Sequence, residues 1–258
     1  MSEVNKKAYN STTVVKEYTQ KLFLFKGEKE LLNLLKNNKN KGKMLDIGIG
    51  TGRTTHFFAS NFEKYIGIDY ASHMIEIAEQ KYKHFDNAEF YTLDATNMSV
   101  FKDNEFDFIL FSFNGLDCVS FDDRIKILNE INRVGKKGAI FSYSTHNIFN
   151  IPKLFSFNMP RNPLNIIPEF KRYKKINKIN EGLDKLIKKQ YDIIIDGDID
   201  FSVQYYYCNM NFEIDTISKL NFNPFEFLSL KTGEKYSSNT NWEEITTPWI
   251  LINSYVEK

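Results

Sequence analysis

Short apolar runs alternate with amphipathic segments over residues 43–143, and this alternation constrains the fold more than any other feature of the chain. The apolar runs are strand-length, and the segments between them carry apolar residues at helical spacing. Such alternation is typical of βαβ units, in which parallel strands form one sheet with helices on both faces. The strands are predicted at 43–47, 65–69, 88–93, 106–113 and 138–143.

Helices before and within this region are predicted from spacing and capping signals. Two helices are expected in residues 10–40, one around Val14 to Leu22 and one around Leu31 to Leu35. Ser72 is predicted to cap a helix over 73–83. Ser120 is predicted to cap a helix that ends just before Gly135.

The alternation stops after Tyr143, where a different segment begins. Residues 145–190 contain four of the six prolines, and 191–207 is predicted to be a hairpin turned at Asp196-Gly197. A helix over 211–220 and strands over 222–230 and 247–256 complete the chain. We therefore predict a cofactor-binding core at 1–144 and 208–258, with an inserted substrate cap at 145–207.

The expected fold class is α/β. It is a Rossmann-like, doubly wound and mostly parallel seven-stranded sheet with an antiparallel last strand, N-terminal helices and an inserted α+β cap.

Composition excludes several kinds of protein. With 34 basic and 33 acidic residues among 258, the net charge is +1. This balance argues against a protein whose whole surface is positively charged for binding nucleic acid. The apolar runs are shorter than a membrane helix needs, and the first residues lack a signal peptide's apolar stretch. Cys118 and Cys208 make no disulfide framework, and no zinc-type spacing is present. We expect a cytoplasmic protein with no membrane partner and no metal.

Three strand ends carry the chemistry. Gly48, Gly50 and Gly52 follow the first strand, Asp69 ends the second, and Asp94 ends the third. Alternate glycines let the backbone turn tightly against a ligand, while an acid after the second strand can accept ribose hydroxyls. The dinucleotide fingerprint places its third glycine three positions after its second, one more than here. The spacing therefore favours an adenosine ligand without a pyrophosphate and disfavours an NAD-type oxidoreductase.

Residues 44–144 resemble the class I S-adenosylmethionine-dependent methyltransferases of the small-molecule type. The resemblance implies S-adenosylmethionine as cofactor, S-adenosylhomocysteine as product, and transfer of a methyl group to an O or N atom of a small-molecule acceptor. The residues that it assigns to the cofactor are Asp46, Gly48, Gly50, Gly52, Arg53, Asp69, Tyr70, Asp94, Ala95, Ser112 and Phe113.

Each assignment has a structural alternative. Gly48 or Gly52 alone can be a packing glycine, and Asp69 can cap the following helix. Asp94 can be an ordinary turn aspartate. Arg53 can reach the cofactor carboxylate or simply face solvent.

The acceptor site is expected near the ends of the fourth and fifth strands. His146 and Asp117 are the candidate catalytic residues, and Asn114, His146 and Tyr206 are the candidate acceptor-binding residues. A neutral imidazole can take a proton from the acceptor. The alternatives are a loop histidine bonded to backbone, a loop-capping or solvated Asp117, and a tyrosine that only packs on its strand.

A basic run inside the insertion leaves the partner open. Residues 171–189 hold eight basic and two acidic residues, a net charge of +6. This run can attract an anionic acceptor, but a solvated helix face is the favoured interpretation. An RNA or protein methyltransferase and a non-catalytic cofactor-binding scaffold remain alternatives. The stretch 112–117 lacks the Pro-Pro motif of nucleobase amine methylation, which makes nucleic acid the less favoured partner. Oligomeric state is not determined.

Overall fold

The computed structural model describes Asn5, Thr19 and residues 22–37, 42–237 and 239–258. Its strands are β1 Lys43–Ile47, β2 Lys64–Asp69, β3 Ala88–Thr92, β4 Phe106–Phe111, β5 Gly135–Asn147, β6 Tyr191–Ile194, β7 Tyr205–Cys208, β8 Phe222–Ser229, β9 Lys235–Tyr236 and β10 Trp249–Val256. Its helices are α1 Lys26–Asn37, α2 Thr55–Phe58, α3 Ser72–Tyr82, α4 Phe121–Val134, α5 Ile151–Phe155, α6 Ile166–Ile179, α7 Leu183–Leu186 and α8 Met210–Lys219.

The sheet has the strand order β3-β2-β1-β4-β5-β10-β8-β9. Strands β1 to β5 pair in parallel, and β10 runs antiparallel to both β5 and β8. This confirms the predicted α/β class and the antiparallel last strand. The seven predicted strands are present, and β6, β7 and β9 extend the sheet beyond them. Strand order reverses between β1 and β4, so the loops after these two strands open onto a crevice suited to a ligand.

Apolar side chains cover both faces of the sheet. Ile127, Leu128 and Ile131 of α4 pack on one face, because they recur at helical spacing and form one stripe. Leu31 of α1 and Phe58 of α2 pack on the opposite face. Each fully buried side chain of this size contributes about 1.5–3 kcal/mol to the free energy of folding. The sheet is therefore held between two apolar layers, and only its strand ends are left for a ligand.

The predicted helix bounds are confirmed in part. Ser120 caps α4 as expected, and Gly135 follows the last residue of that helix. The prediction for Ser72 is wrong: Ser72 is the first residue of α3, and Ala71 is the N-cap, with its N–H donated to Asp69 Oδ1 at 2.9 Å. Helix α3 therefore begins without a side-chain cap, and Asp69 holds the turn that precedes it.

The N-terminal helices can be compared only where the chain is described. The second predicted helix is α1, which includes Leu31 to Leu35. The first, around Val14 to Leu22, lies outside the described residues except for Thr19 and Leu22.

The insertion has an apolar cluster of its own but is joined to the sheet. Ile148, Ile151, Phe155 and Ile176 are buried together within it. Its hairpin is β6 and β7, and β7 pairs in parallel with the end of β5. The predicted hairpin is therefore part of the sheet, and β5 continues to Asn147 to meet it.

The hairpin connection is longer than expected. Strand β6 ends at Ile194 and β7 begins at Tyr205, so Asp196-Gly197 lies in a long loop rather than a tight turn. Gly197 has a φ of 101°, which a glycine adopts readily.

Within the part of the chain that the structure describes, no helix combines the length and the apolarity needed to cross a membrane.

Candidate active site

A cavity of about 900 Å³, open to solvent, lies at the carboxyl ends of β1, β2 and β4. Eight of the eleven residues predicted for the cofactor line it: Gly48, Gly50, Asp69, Tyr70, Asp94, Ala95, Ser112 and Phe113. The other three, Asp46, Gly52 and Arg53, lie behind this lining.

The glycine loop lies close against neighbouring side chains. Gly48 and Gly50 have φ angles of 66° and 55°, in the left-handed region that favours glycine. A Cβ on Gly48 would lie 2.8 Å from Phe111 Cε2. At Gly52 a Cβ would overlap the ring of Tyr82, whose hydroxyl donates to the Gly52 carbonyl at 2.6 Å. Gly52 is therefore a packing glycine, while Gly48 and Gly50 face the cavity.

Asp69 ties the glycine loop to the end of β2. Its Oδ2 accepts the Gly50 N–H at 2.9 Å, and its Oδ1 accepts the Ala71 N–H at the start of α3. Burial raises the pKa of this carboxyl. Asp69 thus lines the cavity and holds the turn that leads into α3. Because α3 has no side-chain cap, the interpretation of Asp69 as a helix cap is wrong.

Asp46 supports the loop from below. Its Oδ2 accepts hydrogen bonds from the Thr54 hydroxyl at 2.6 Å and the Tyr65 hydroxyl at 2.7 Å. Burial raises the pKa of Asp46 to about 7. A carboxylate with these partners holds the chain on both sides of the loop and is not aimed into the cavity.

Arg53 is buried rather than facing solvent, so that alternative is wrong. Its Nη1 and Nη2 donate to Glu28 Oε2 and Oε1 at 2.7 and 2.5 Å, a bidentate ion pair with α1. Its Nη2 also lies 3.2 Å from the Ser112 hydroxyl, which in turn bonds Glu28. The sequence analysis missed Glu28, since an acid in a helix's first turn is ordinary and its partner lies 25 residues away.

Asp94 is both a turn aspartate and a residue of the cavity lining. Its Oδ1 accepts from the backbone N–H and the hydroxyl of Thr96 at 2.9 and 2.8 Å, as in an ordinary aspartate turn. Asp94 also lines the cavity. The turn therefore fixes the side chain at the cavity edge.

The backbone is strained where β4 ends. Phe113 and Asn114 have φ angles of 52° and 58°, which non-glycine residues seldom adopt. The Asn114 N–H donates to the Ser144 hydroxyl at 2.8 Å and so holds this conformation. Asn114 Oδ1 is buried and has no hydrogen-bond partner among the described residues. Strain and an unsatisfied polar atom together are typical of a functional site.

His146 and Asp117 form a buried pair. Asp117 Oδ2 lies 2.7 Å from His146 Nδ1 and accepts the His146 backbone N–H at 2.8 Å. With the carboxylate as acceptor, the imidazole proton belongs on Nδ1, which leaves Nε2 as the accepting nitrogen. Nε2 lies 3.4 Å from Asn114 Nδ2. Asp117 is fully buried, so it positions His146 rather than contacting an acceptor, and the interpretation of a solvated loop aspartate is wrong.

Aromatic rings enclose His146. Its ring lies 4.5 Å from Tyr207, 5.0 Å from Tyr205 and 6.2 Å from Trp249, measured between centroids. Such walls exclude water from the imidazole.

Tyr206 was predicted to bind the acceptor, but its side chain points away from His146. Its hydroxyl donates to Glu213 Oε2 at 3.2 Å, and its ring centroid lies 4.4 Å from the Arg124 guanidinium carbon. Side chains alternate along a strand, so Tyr205 and Tyr207 face His146 while Tyr206 packs on the other side.

A buried ion network supports the pair and was missed in the sequence. Arg124 Nη1 donates to Asp117 Oδ1 at 2.8 Å, and Nη2 donates to Glu213 Oε1 at 2.5 Å. Tyr143 also donates to Glu213, at 2.6 Å. All four side chains are completely buried. The network therefore places one guanidinium between two buried carboxyl groups beside His146.

A wider groove of about 1630 Å³ lies between the insertion and the last strands. Lys153 and Arg172 line it on the insertion side, and Lys231 lines it on the other. Tyr207 and Trp249 also line this groove, and the same two rings flank His146. The groove and His146 therefore share these two aromatic side chains.

Known proteins match the part of the chain that contains the glycine loop. Residues 44–138 match the family model described as a methyltransferase domain. Over these residues the chain is a methyltransferase domain of the class I, S-adenosylmethionine-dependent type. The match covers β1 to the start of β5, which includes the glycine loop and the strand-end acids.

Relatives and solved structures agree with this family. A demethylmenaquinone methyltransferase of Staphylococcus saprophyticus is 35% identical over 107 residues, covering 40% of this chain and 44% of that protein. The chain thus spans about half the length of the curated relatives it matches. A Clostridium acetobutylicum methyltransferase structure has a TM-score of 0.62 at 13% identity, covering 90% of this chain and 92% of that one. A Methanosarcina mazei methyltransferase structure has a TM-score of 0.57 at 20% identity, covering 87% and 98%. At these identities the two structures show the shared fold alone.

The cavity fits the cofactor of this family, S-adenosylmethionine. The backbone of Gly48 and Gly50 lines the cavity, and the Asp69 carboxylate stands at the end of β2 where hydroxyl donors can approach. Asp94 and Ala95 close the neighbouring wall after β3.

Proposed function

We propose that the chain transfers a methyl group from S-adenosylmethionine to an O or N atom of a small-molecule acceptor. The observation that carries the proposal is the juxtaposition of two features at one edge of the sheet. A glycine-lined cavity lies after β1 and β4. A carboxylate-held histidine lies at the end of β5, 3.4 Å from Asn114, which stands between the cavity-lining residues Phe113 and Gly115. The name of the Staphylococcus saprophyticus relative supports a small-molecule acceptor.

The cofactor residues divide into two groups in this proposal. Gly48, Gly50, Asp69, Tyr70, Asp94, Ala95, Ser112 and Phe113 contact S-adenosylmethionine, and Asp46, Gly52 and Arg53 hold the loops that present them. When bound, S-adenosylmethionine supplies a methyl group on a positively charged sulfur. Asp69 accepts hydroxyl hydrogen bonds, because it faces the cavity as a fixed acceptor.

His146 acts as the general base. Its Nε2 takes the proton that an acceptor hydroxyl or amine loses as the acceptor atom forms its bond to carbon. Asp117 keeps the other nitrogen protonated and holds the ring in place.

The acceptor reaches this base through the groove beside the insertion. Asn114 offers its unsatisfied Oδ1 to an acceptor N–H or O–H group. The insertion, residues 145–207, serves as the substrate cap on a core formed by 1–144 and 208–258. Alignment and exclusion of water then supply most of the rate acceleration, as expected for an in-line displacement.

Thermal unfolding with ligands tests the cofactor assignment. S-adenosylhomocysteine at 100 times its dissociation constant should stabilise the protein by about 2.7 kcal/mol, whereas NAD should not. Asp69→Ala and Asp69→Asn should lose this shift, and Asp86→Ala, an exposed aspartate far from the cavity, should keep it. A shift by NAD, or an undiminished shift in both Asp69 variants, contradicts the assignment.

Incubation with a cell extract tests the reaction. Enzyme and methyl-labelled S-adenosylmethionine should add label to a metabolite below about 1 kDa, a mass typical of the ligands that such pockets accept. Label found only on RNA or protein would overturn the small-molecule acceptor.

A further inference from the structure

Large apolar side chains are exposed together at the tip of the insertion. Met159, Leu164, Ile166, Ile167 and Phe170 are 39–83% exposed and lie within twelve residues of one another. Single exposed apolar residues are common on proteins, but such a concentration marks an interaction surface. We call these five residues the tip.

Helix α6 is anchored by one face and presents the other to solvent. Ile176 is buried, and Arg172 donates to the carbonyl oxygens of Leu154 and Ser156. At 100° per residue, Ile167 and Phe170 lie on the side opposite to these anchors. The apolar side chains therefore belong to the free face of the helix.

The same free face is basic. Lys171, Lys174 and Lys178 are exposed on it, and Arg161 is exposed just before the helix. Among the described residues none of these four has a carboxylate partner within salt-bridge distance. The one acid of α6, Glu169, is bound by Arg172 on the anchored side.

We propose that the tip and the basic face of α6 dock on the surface of an anionic lipid bilayer. Apolar side chains beside lysines on one exposed helix face are the pattern of interfacial helices: the former enter the headgroup region and the latter approach lipid charges. The expectation of no membrane partner rested on the lack of a spanning segment, which surface docking does not require.

Charge and apolarity favour this occupant over two others. Nucleic acid binding draws on phosphate contacts and gains little from Leu164 and Ile167. A second copy of this chain would bring its own lysines against Lys171 and Lys174, and like charges repel. A bilayer with anionic headgroups offers an apolar region to the tip and negative charges to the lysines of α6.

Flotation with vesicles tests the proposal without any methyl transfer, so it can succeed or fail independently of the proposed function. The full chain should float with phosphatidylcholine vesicles containing 30% phosphatidylglycerol, about tenfold more than with phosphatidylcholine alone. Binding should weaken as salt is raised.

Two variants separate the apolar and the basic contributions. Ile167→Ser with Phe170→Ser, and Lys171→Gln with Lys174→Gln, should each reduce binding about tenfold. The matched controls are Val100→Ser and Lys83→Gln with Lys137→Gln, exposed residues away from α6, which should bind as the parent does. Circular dichroism confirms that all variants fold.

Three outcomes overturn the proposal. The first is equal binding to neutral and anionic vesicles, or none to either. The second is binding that Ile167→Ser with Phe170→Ser leaves unchanged, since this would reduce the surface to a basic patch. The third is absence of vesicle binding together with RNA binding in fluorescence anisotropy, or with a dimer in sedimentation velocity that the serine variant abolishes.

Discussion

The edge of the sheet and the tip of the insertion treat polar and apolar groups in opposite ways. At the edge, charged groups such as Arg124 and Asp117 are completely buried and paired with one another. At the tip, apolar groups such as Leu164 and Ile167 are exposed, and lysines stand beside them without carboxylate partners among the described residues. Substitutions among the buried charges at the edge should therefore change both the stability of the fold and the candidate active site. Substitutions at the tip should have little effect on the folded core.

The largest expected effect is on turnover. His146→Ala should lower kcat about 10²- to 10⁴-fold, because a positioned general base contributes rate of this order. The measurement is methyl transfer to the identified acceptor, with S-adenosylhomocysteine binding unchanged. Added imidazole should restore part of the rate, which a purely structural loss would not allow. His73→Ala, at an exposed helix position, serves as the control.

The next effect is on folding. Arg124→Met should destabilise the protein by about 3–5 kcal/mol, because it leaves Asp117 and Glu213 buried without a cation. Urea denaturation measures this loss. Replacement of all three by apolar residues should recover much of it, since no charge then remains buried; equal instability of the triple variant would contradict this explanation.

A smaller effect depends on pH. Burial raises the pKa of Asp46 to about 7, so the folded state binds a proton that the unfolded state releases above pH 4. The contribution of this group to stability is present at low pH and declines as pH rises from about 4 to about 7, by at most about 1.4 kcal/mol per pH unit. Asp46→Asn should remove that decline. Denaturation at pH 5 and pH 8 checks it, and parallel curves for the two proteins would contradict the sign.

The smallest effect is expected at the tip. Ile167→Ser should change the free energy of unfolding by no more than about 0.5 kcal/mol, because its side chain is already exposed. Leu128→Ala, in the buried stripe of α4, should cost about 2–5 kcal/mol. Comparable losses at both positions would remove the distinction between the edge and the tip.

Much of the fold and part of the site could be predicted from local patterns. The alternation of apolar runs and helical stripes predicted the parallel strands, because each element must bury one face. The glycine turn and the position of Asp69 could also be predicted, because both depend on residues that are neighbours in the chain. Ser72 failed as a cap because it is already the first residue of α3, and Ala71 occupies the N-cap position.

The partners of buried charges could not be predicted in this way. Glu28 meets Arg53 across 25 residues, and Glu213 meets Arg124 across 89. Nothing in the spacing of these residues distinguishes them from solvated helix charges. Tyr206 was misassigned because the direction of a strand's alternation is set only when the strand joins the sheet.

The sequence by itself determined the α/β sheet, the glycine loop and the strand ends at which a ligand binds, because hydrophobic period and turn chemistry are local properties. Only the tertiary structure decided which side chains meet there. It paired His146 with Asp117 and buried Tyr206 and Arg53, and it left the tip of the insertion exposed. The reason is physical, since burial and pairing depend on distances in space that separation along the chain does not set.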